Sequence, residues 1–139
     1  MKAILRPVLM AAAIGSAGAA QAAEQVPAVR YDTMQVKGAD VFYREAGPKD
    51  SPSVLLLHGF GASSHMFRDL IPQLATGYRV VAPDLPGFGL TRADKSFKYT
   101  FDNLADVIDA FTTAKGLQRY AIYVFDYGAP VGWRLAVRH

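Results

Sequence analysis

Short apolar runs alternate with amphipathic stretches along most of the chain. Three of the runs stand out: residues 54–57 and 121–125 are continuous, and residues 79–82 consist of Arg79 followed by three apolar residues. A continuous run of this length, without polar positions between the apolar ones, is typical of a strand that is buried on both faces of a sheet. The pattern therefore predicts three interior strands, each followed by a polar or glycine-rich segment.

The stretches between these strands carry apolar residues at helical spacing. Residues 67–75 predict a first helix, in which Pro72 must lie in the first turn or kink the helix. Thr100 can cap a second helix that Gly116 ends, and a third helix is predicted from Gly128 onward. The second helix shows the i, i+3, i+4, i+7 pattern most clearly, at Leu104, Val107, Ile108 and Phe111.

Two shorter apolar segments precede this pattern, at residues 34–36 and 41–43. Lys37 and Gly38 lie between them, and this spacing predicts a hairpin turn. Residues 23–32 show no periodicity and are interpreted as a linker. The order hairpin, then strand–helix repeats, predicts an α/β fold with parallel strands, right-handed crossovers and helices on both faces of the sheet.

The first 22 residues predict a signal peptide. Lys2 and Arg6 form a positive segment, residues 8–20 are apolar or small, and Ala20-Gln21-Ala22 fits the A-x-A cleavage pattern. The apolar run is shorter than the ~20 residues that span a bilayer, so no stable membrane anchor is predicted. We expect residues 33–139 to form the folded part of a protein exported to the periplasm or beyond.

Composition narrows the possible functions. The 139 residues include no cysteine, which excludes disulfides and thiolate metal sites, and the three histidines are too far apart to predict a metal site. The net charge is +3, and loss of Lys2 and Arg6 with the leader leaves thirteen basic residues against twelve acidic ones. We therefore predict neither a nucleic-acid partner nor a cofactor.

Three segments that follow the predicted strands are candidates for chemistry, because ligands bind at the carboxyl ends of parallel strands. These segments are residues 58–61, 84–89 and 126–128. In the third, Asp126 lies between a strand and a helix with small residues after it, which is the pattern of a nucleophile elbow. A carboxylate can attack an sp3 carbon and form an alkyl ester, which suits epoxides or alkyl halides. The alternative is that Asp126 only caps the helix.

The chain resembles the α/β-hydrolase superfamily over residues 41–139, in Leu55-Leu-Leu-His58-Gly59-Phe60, Ser63-Ser64, Phe67, Pro83-Asp84-Leu-Pro-Gly-Phe-Gly89 and the elbow at Asp126. These segments are most similar to its epoxide hydrolase and haloalkane dehalogenase branch. The resemblance implies that Asp126 is the nucleophile and that the backbone N–H groups of Phe60 and Tyr127 form the oxyanion hole. It implies structural roles beside the site for His58, Gly59, Asp84 and Gly128, and a small apolar substrate.

Two positions depart from the dehalogenase pattern. Dehalogenases commonly have asparagine and tryptophan as halide donors where this chain has Phe60 and Tyr127. Epoxide opening is therefore preferred, and haloalkane or other α/β-hydrolase chemistry stays open. The resemblance covers the N-terminal half of the family fold: the cap, the orienting acid and the catalytic histidine have no counterpart, and His139 lies too far along the last helix to replace that histidine.

We accordingly expect a truncated hydrolase domain that forms a covalent adduct without turnover, or a non-catalytic fragment. A weaker alternative is dinucleotide binding, because Gly59-x-Gly61 follows a strand and Asp84 ends the next one.

Overall fold

A six-stranded mixed sheet forms the centre of the computed structural model, which describes residues 27–139. The predicted signal peptide, residues 1–22, lies outside the described residues, so export stays a prediction. The main path of the sheet has the order β1-β2-β4-β3-β6, and β5 pairs with β2 beside it. The strands are β1 (Arg30–Val36), β2 (Ala39–Ala46), β3 (Ser53–Leu57), β4 (Arg79–Pro83), β5 (Arg92–Ala93) and β6 (Tyr120–Val124).

The N-terminal hairpin is confirmed, and it is longer than predicted. β1 and β2 pair antiparallel, and the turn between them places Lys37 and Gly38 at positive φ. β1 begins at Arg30, so the predicted linker 23–32 is wrong for its last three residues. These residues pair with β2 but are exposed at the sheet edge, so their side chains show no apolar alternation that could have revealed a strand.

Helices cover both faces of the sheet, as predicted. The α-helices are α1 (Leu70–Leu74), α2 (Phe101–Ala114) and α3 (Gly128–Arg138), and a 3₁₀ turn at Ser64–Phe67 precedes α1. The single helix predicted at 67–75 is thus divided in two, and Pro72 lies in the first turn of α1, where its missing N–H costs no hydrogen bond. Thr100 caps α2 as expected, because its side chain accepts a hydrogen bond from the N–H of Asn103.

Strand β3 shows how the core is divided between the two faces. Leu55 and Leu57 point toward α2 and α3, whereas Leu56, between them, packs with the side of the sheet covered by α1. All three side chains are fully buried. β3 also pairs in parallel with both β4 and β6, which confirms the predicted parallel strands and fixes their carboxyl ends at one edge of the fold.

The side of the sheet at β6 is open in the described part of the chain. β6 pairs with β3 along one side, and an open groove of about 950 Å³ runs beside it, lined by Ile122, Val124 and Trp133 among others. Asp126 does not line this groove. Within residues 27–139, no helix combines the length and apolar character that crossing a bilayer requires.

Candidate active site

The structure brings together the three segments that follow the parallel strands. The backbone N–H of Phe60, after β3, donates to Oδ1 of Asp126, after β6, at 2.8 Å. The N–H of Leu85, after β4, donates to Nε2 of His58 at 2.9 Å. Because β4, β3 and β6 run parallel as neighbours, their carboxyl ends meet, and the predicted strand-end segments form one cluster.

Asp126 lies in a tight turn between β6 and α3. Its φ of +46° is in the left-handed region, which is unfavourable for a residue with a Cβ and occurs more readily for aspartate than for most other types. The turn is closed on both sides: Phe125 donates its N–H to Leu57 O at 3.1 Å, and Gly128 donates to Phe125 O at 2.9 Å. A strained residue held between strand and helix is the geometry expected of an elbow.

Glycine at position 59 lets a backbone loop come very close to Asp126. A Cβ built on Gly59 would lie 2.9 Å from the Cβ of Asp126 and 2.9 Å from Cδ1 of Phe125. A side chain at this position would therefore push the loop away from the carboxylate and lengthen the hydrogen bond from Phe60.

The carboxyl group of Asp126 is exposed and is stabilised as an anion. The hydrogen bond from the Phe60 N–H lowers its pKa below the usual value of 3.8, and the neighbouring Tyr127 N–H contributes the smaller second part of the lowering. The predicted donors are thus the groups that act on the carboxylate. The hydrogen bond that defines its position comes from a loop 66 residues away in sequence, whereas a helix cap would bind amides of α3.

His58 ties two loops together. Its side chain is fully buried, Nε2 accepts from the Leu85 N–H, and Nδ1 lies 2.8 Å from Gly59 O. This pair of contacts requires the tautomer with the proton on Nδ1. Burial lowers the pKa of His58, and the Gly59 carbonyl and the Asp84 charge oppose this effect without overcoming it. The ring is a neutral connector between the loops after β3 and β4 and makes no hydrogen bond to the Asp126 carboxylate.

Asp84 is buried, and both oxygens of its carboxylate accept hydrogen bonds. Oδ1 accepts from the N–H of Ser64 at 2.7 Å and from the Ser64 hydroxyl, and Oδ2 accepts from the N–H of Leu90 at 2.8 Å. A dinucleotide site would need this acid free for a ribose and the glycine-loop amides free for phosphate. Here the Phe60 amide binds Asp126 and Asp84 binds other loops, so the geometry disfavours the dinucleotide alternative.

Aromatic rings surround the approach to Asp126. Phe60, Phe88 and Tyr127 contact one another edge to face, with ring centroids 5.6–5.7 Å apart, and Phe101 packs on Tyr127 at 4.6 Å. The Phe60 side chain is 72% exposed. The sequence did not predict this cluster, because its rings come from four separate segments and no local spacing links them.

The two other histidines lie elsewhere. His65 is exposed, as expected, and Nε2 of His139 lies 2.8 Å from an Asp109 oxygen on α2. Within the described residues, no three His, Asp or Glu side chains are grouped so that they could hold a metal ion.

Comparisons with known proteins agree with this geometry. Residues 52–139 match the family model described as alpha/beta hydrolase fold. The chain is 48% identical over 110 residues to an uncharacterized hydrolase of Saccharomyces cerevisiae, covering 78% of this chain and 38% of that protein. It is 36% identical over 122 residues to a haloalkane dehalogenase of Mycobacterium marinum, covering 85% and 39%.

A solved structure gives the same result for the fold. The epoxide hydrolase of Vigna radiata superimposes with a TM-score of 0.73 at 37% identity, over 78% of this chain and 35% of that one. The chain therefore spans less than two fifths of the length of these relatives. With the matched family model, the parallel sheet and the strand-to-helix elbow, these similarities show that the chain belongs to the alpha/beta hydrolase family.

Proposed function

We propose that Asp126 is the nucleophile of a hydrolase that opens epoxides through an alkyl-ester intermediate. One observation carries the proposal: an exposed carboxylate stands on the elbow with Oδ1 held by the Phe60 N–H at 2.8 Å. The hydrogen bond fixes one oxygen and leaves the other as the attacking atom. Asp126 attacks as the carboxylate anion, the form of an aspartate at neutral pH, and the Phe60 and Tyr127 amides lower its pKa further.

The proposed reaction needs only the carboxylate, the epoxide and water. The free carboxylate oxygen forms a bond to an epoxide carbon, the carbon–oxygen bond of the ring breaks, and its electron pair goes to the ring oxygen, which takes a proton from water. Release of the product then requires attack of water on Cγ of the ester, with the negative charge developing on Oδ1. The Phe60 and Tyr127 amides are the groups that would stabilise that charge. The bond from Cγ to the oxygen that carries the substrate breaks, and the product leaves as a diol after that oxygen takes a proton from the attacking water.

The surroundings of Asp126 favour a small apolar substrate. The exposed Phe60 ring, with Phe88 and Tyr127 behind it, offers an apolar wall beside the carboxylate. The Phe60 side chain has no N–H or O–H to bind a departing halide, which favours an epoxide because its oxygen stays attached to the product. Haloalkanes are the second candidate substrates, since the Mycobacterium marinum relative is a haloalkane dehalogenase and the same attack would displace a halide.

Ester hydrolysis needs a general base near the intermediate. Within residues 27–139, none of the histidines hydrogen-bonds to Asp126: His58 joins two loops, His65 is exposed, and His139 binds Asp109. We therefore expect the 139-residue chain to accumulate the ester.

Mass spectrometry of the protein after incubation with styrene oxide tests the proposal. We expect one added epoxide mass, mapped by peptide sequencing to Asp126, and no adduct above background in the Asp126→Asn variant. Asp69→Asn is the matched control, because Asp69 is another exposed aspartate, and it should label like the parent chain. Equal labelling of Asp126→Asn, or no labelling of a chain shown to be folded by circular dichroism, would reject Asp126 as the nucleophile. A parallel incubation with 1-bromobutane ranks the two substrate classes.

A further inference from the structure

The loop that carries Phe60 is held at both ends by two consecutive residues after β4. At its start, His58 Nε2 accepts from the Leu85 N–H at 2.9 Å. At its end, Ser64 donates both its N–H, at 2.7 Å, and its hydroxyl to Oδ1 of Asp84. His58, Ser64 and Asp84 are all buried. The Phe60 amide lies between these two ends, so the residues directly after β4 fix its position.

Ser64 is the centre of a directional chain of hydrogen bonds. The Arg44 guanidinium on β2 donates to the Ser64 hydroxyl oxygen, and the hydroxyl donates onward to Asp84. A hydroxyl has one proton, so the donation from Arg44 leaves that proton for the carboxylate. The guanidinium itself is fixed over two rings, with its central carbon 5.4 Å from the Tyr31 centroid and 5.3 Å from the Phe42 centroid.

Neither Arg44 nor Ser64 hydrogen-bonds to Asp126, but Ser64 is at the end of the loop whose Phe60 N–H does. The contact from Phe60 to Asp126 is a single hydrogen bond of 2.8 Å from the middle of that loop. A shift of the Ser64 end would change the direction or length of this bond, and hydrogen bonds weaken steeply as their angle closes.

We propose that Ser64 is a positioning residue, which uses its bonds to Asp84 and Arg44 to aim the Phe60 N–H at the Asp126 carboxylate. The effect of Ser64 on reactivity rests on the proposed function, whereas its effect on the carboxylate itself does not. A residue that only stabilises the fold would change the free energy of unfolding and leave the ionisation of Asp126 in the folded protein unchanged.

The test compares Ser64→Ala with Ser63→Ala in the full chain. Ser63 is the matched control, because it is the adjacent serine and its hydroxyl oxygen accepts only a local bond from the His65 N–H. Two quantities are measured on folded protein: the pKa of Asp126, from the pH dependence of its ¹³Cγ NMR shift, and the rate constant of adduct formation with styrene oxide. We expect Ser64→Ala to raise the pKa of Asp126 and slow the adduct on the order of tenfold, and Ser63→Ala to change neither.

The second variant is Arg44→Met, which keeps an apolar stem and removes the donor to Ser64. It should shift the pKa of Asp126 in the same direction by a smaller amount, and it carries the test if Ser64→Ala does not fold. An unchanged Asp126 pKa in the folded variants, with only lower stability, overturns the positioning role and leaves the proposed function intact. If the parent chain forms no adduct, the proposed function fails, and the NMR comparison still decides whether Ser64 positions the amide.

Discussion

Replacing Gly128 by alanine tests whether α3 must lie against the backbone of β3 to form the elbow. A Cβ at this position would lie 2.6 Å from Leu57 O and 2.8 Å from His58 O. Both are backbone atoms, one in the last residue of β3 and one in the residue after it, so no side-chain rotation can relieve the contact. A relaxed contact between carbon and carbonyl oxygen is about 3.3 Å, so the start of α3 would have to move by about 0.7 Å.

The expected cost follows from overpacking. Forcing extra volume against a fixed backbone costs about 1–3 kcal/mol, and the higher helix propensity of alanine returns less than about 1 kcal/mol at the first position of a helix. We expect Gly128→Ala to lower the free energy of unfolding by about 1–2 kcal/mol. The shift also moves Tyr127 and Asp126 relative to Phe60, so adduct formation should slow more than the loss of stability alone explains.

Gly77→Ala is the matched control, since a Cβ there meets nothing within 4 Å. It should leave stability unchanged or raise it by up to about 1 kcal/mol, because alanine restricts the unfolded chain. Urea unfolding followed by circular dichroism measures both variants. If Gly128→Ala proves as stable as Gly77→Ala, the close approach of α3 to β3 does not constrain the elbow and the reasoning is wrong.

Two further predictions concern buried titratable groups. Burial would raise the pKa of Glu45, but the hydrogen bonds and charges of Lys115, at 2.7 Å, and Arg79, at 2.9 Å, outweigh it and lower the pKa. Glu45→Gln should therefore lower the free energy of unfolding, measured in urea, by about 3 kcal/mol. Asp106→Asn, at a half-exposed ion pair, should lower it by less than about 1 kcal/mol. Equal losses in the two variants would contradict a stabilising role of the buried Glu45 ion pairs. Burial also lowers the pKa of His58. As the pH falls through 6.5, His58 is therefore protonated in the unfolded chain while it is still neutral in the folded chain. The free energy of unfolding should fall as the pH drops below 6.5, by at most about 1.4 kcal/mol per unit, and a His58 NMR titration midpoint above 6.5 would contradict the neutral ring.

The interior of the fold could be predicted because its signals are local. β3 and β4 each bury an apolar run, and α2 repeats apolar residues at helical spacing from a threonine cap. The prediction of a third interior strand is wrong for β6, whose side chains alternate between half-buried and exposed at the end of the sheet. The elbow was also predictable, since the strand, the aspartate and the small residues after it are adjacent in sequence. These patterns identified the segments that meet at the site.

What the sequence did not reveal depends on partners far apart in the chain. The start of β1 and the two-residue β5 exist through pairing with β2, and their own side chains carry no strand pattern. The hydrogen bonds of Ser64 were not predicted because its partners, Arg44 and Asp84, each lie 20 residues away in sequence. The division of the predicted helix 67–75 follows from a turn capped by Ser63, which apolar spacing alone does not show.

The long separation of Phe60 and Asp126 has a consequence for folding. Their hydrogen bond spans 66 residues, and it can form only after β6 has paired with β3. Contacts of such high sequence separation form slowly because a long loop must close first. We therefore expect the oriented carboxylate to form late in folding: until the sheet is assembled, Asp126 is an ordinary aspartate, and its reactivity should report that the native topology has been reached.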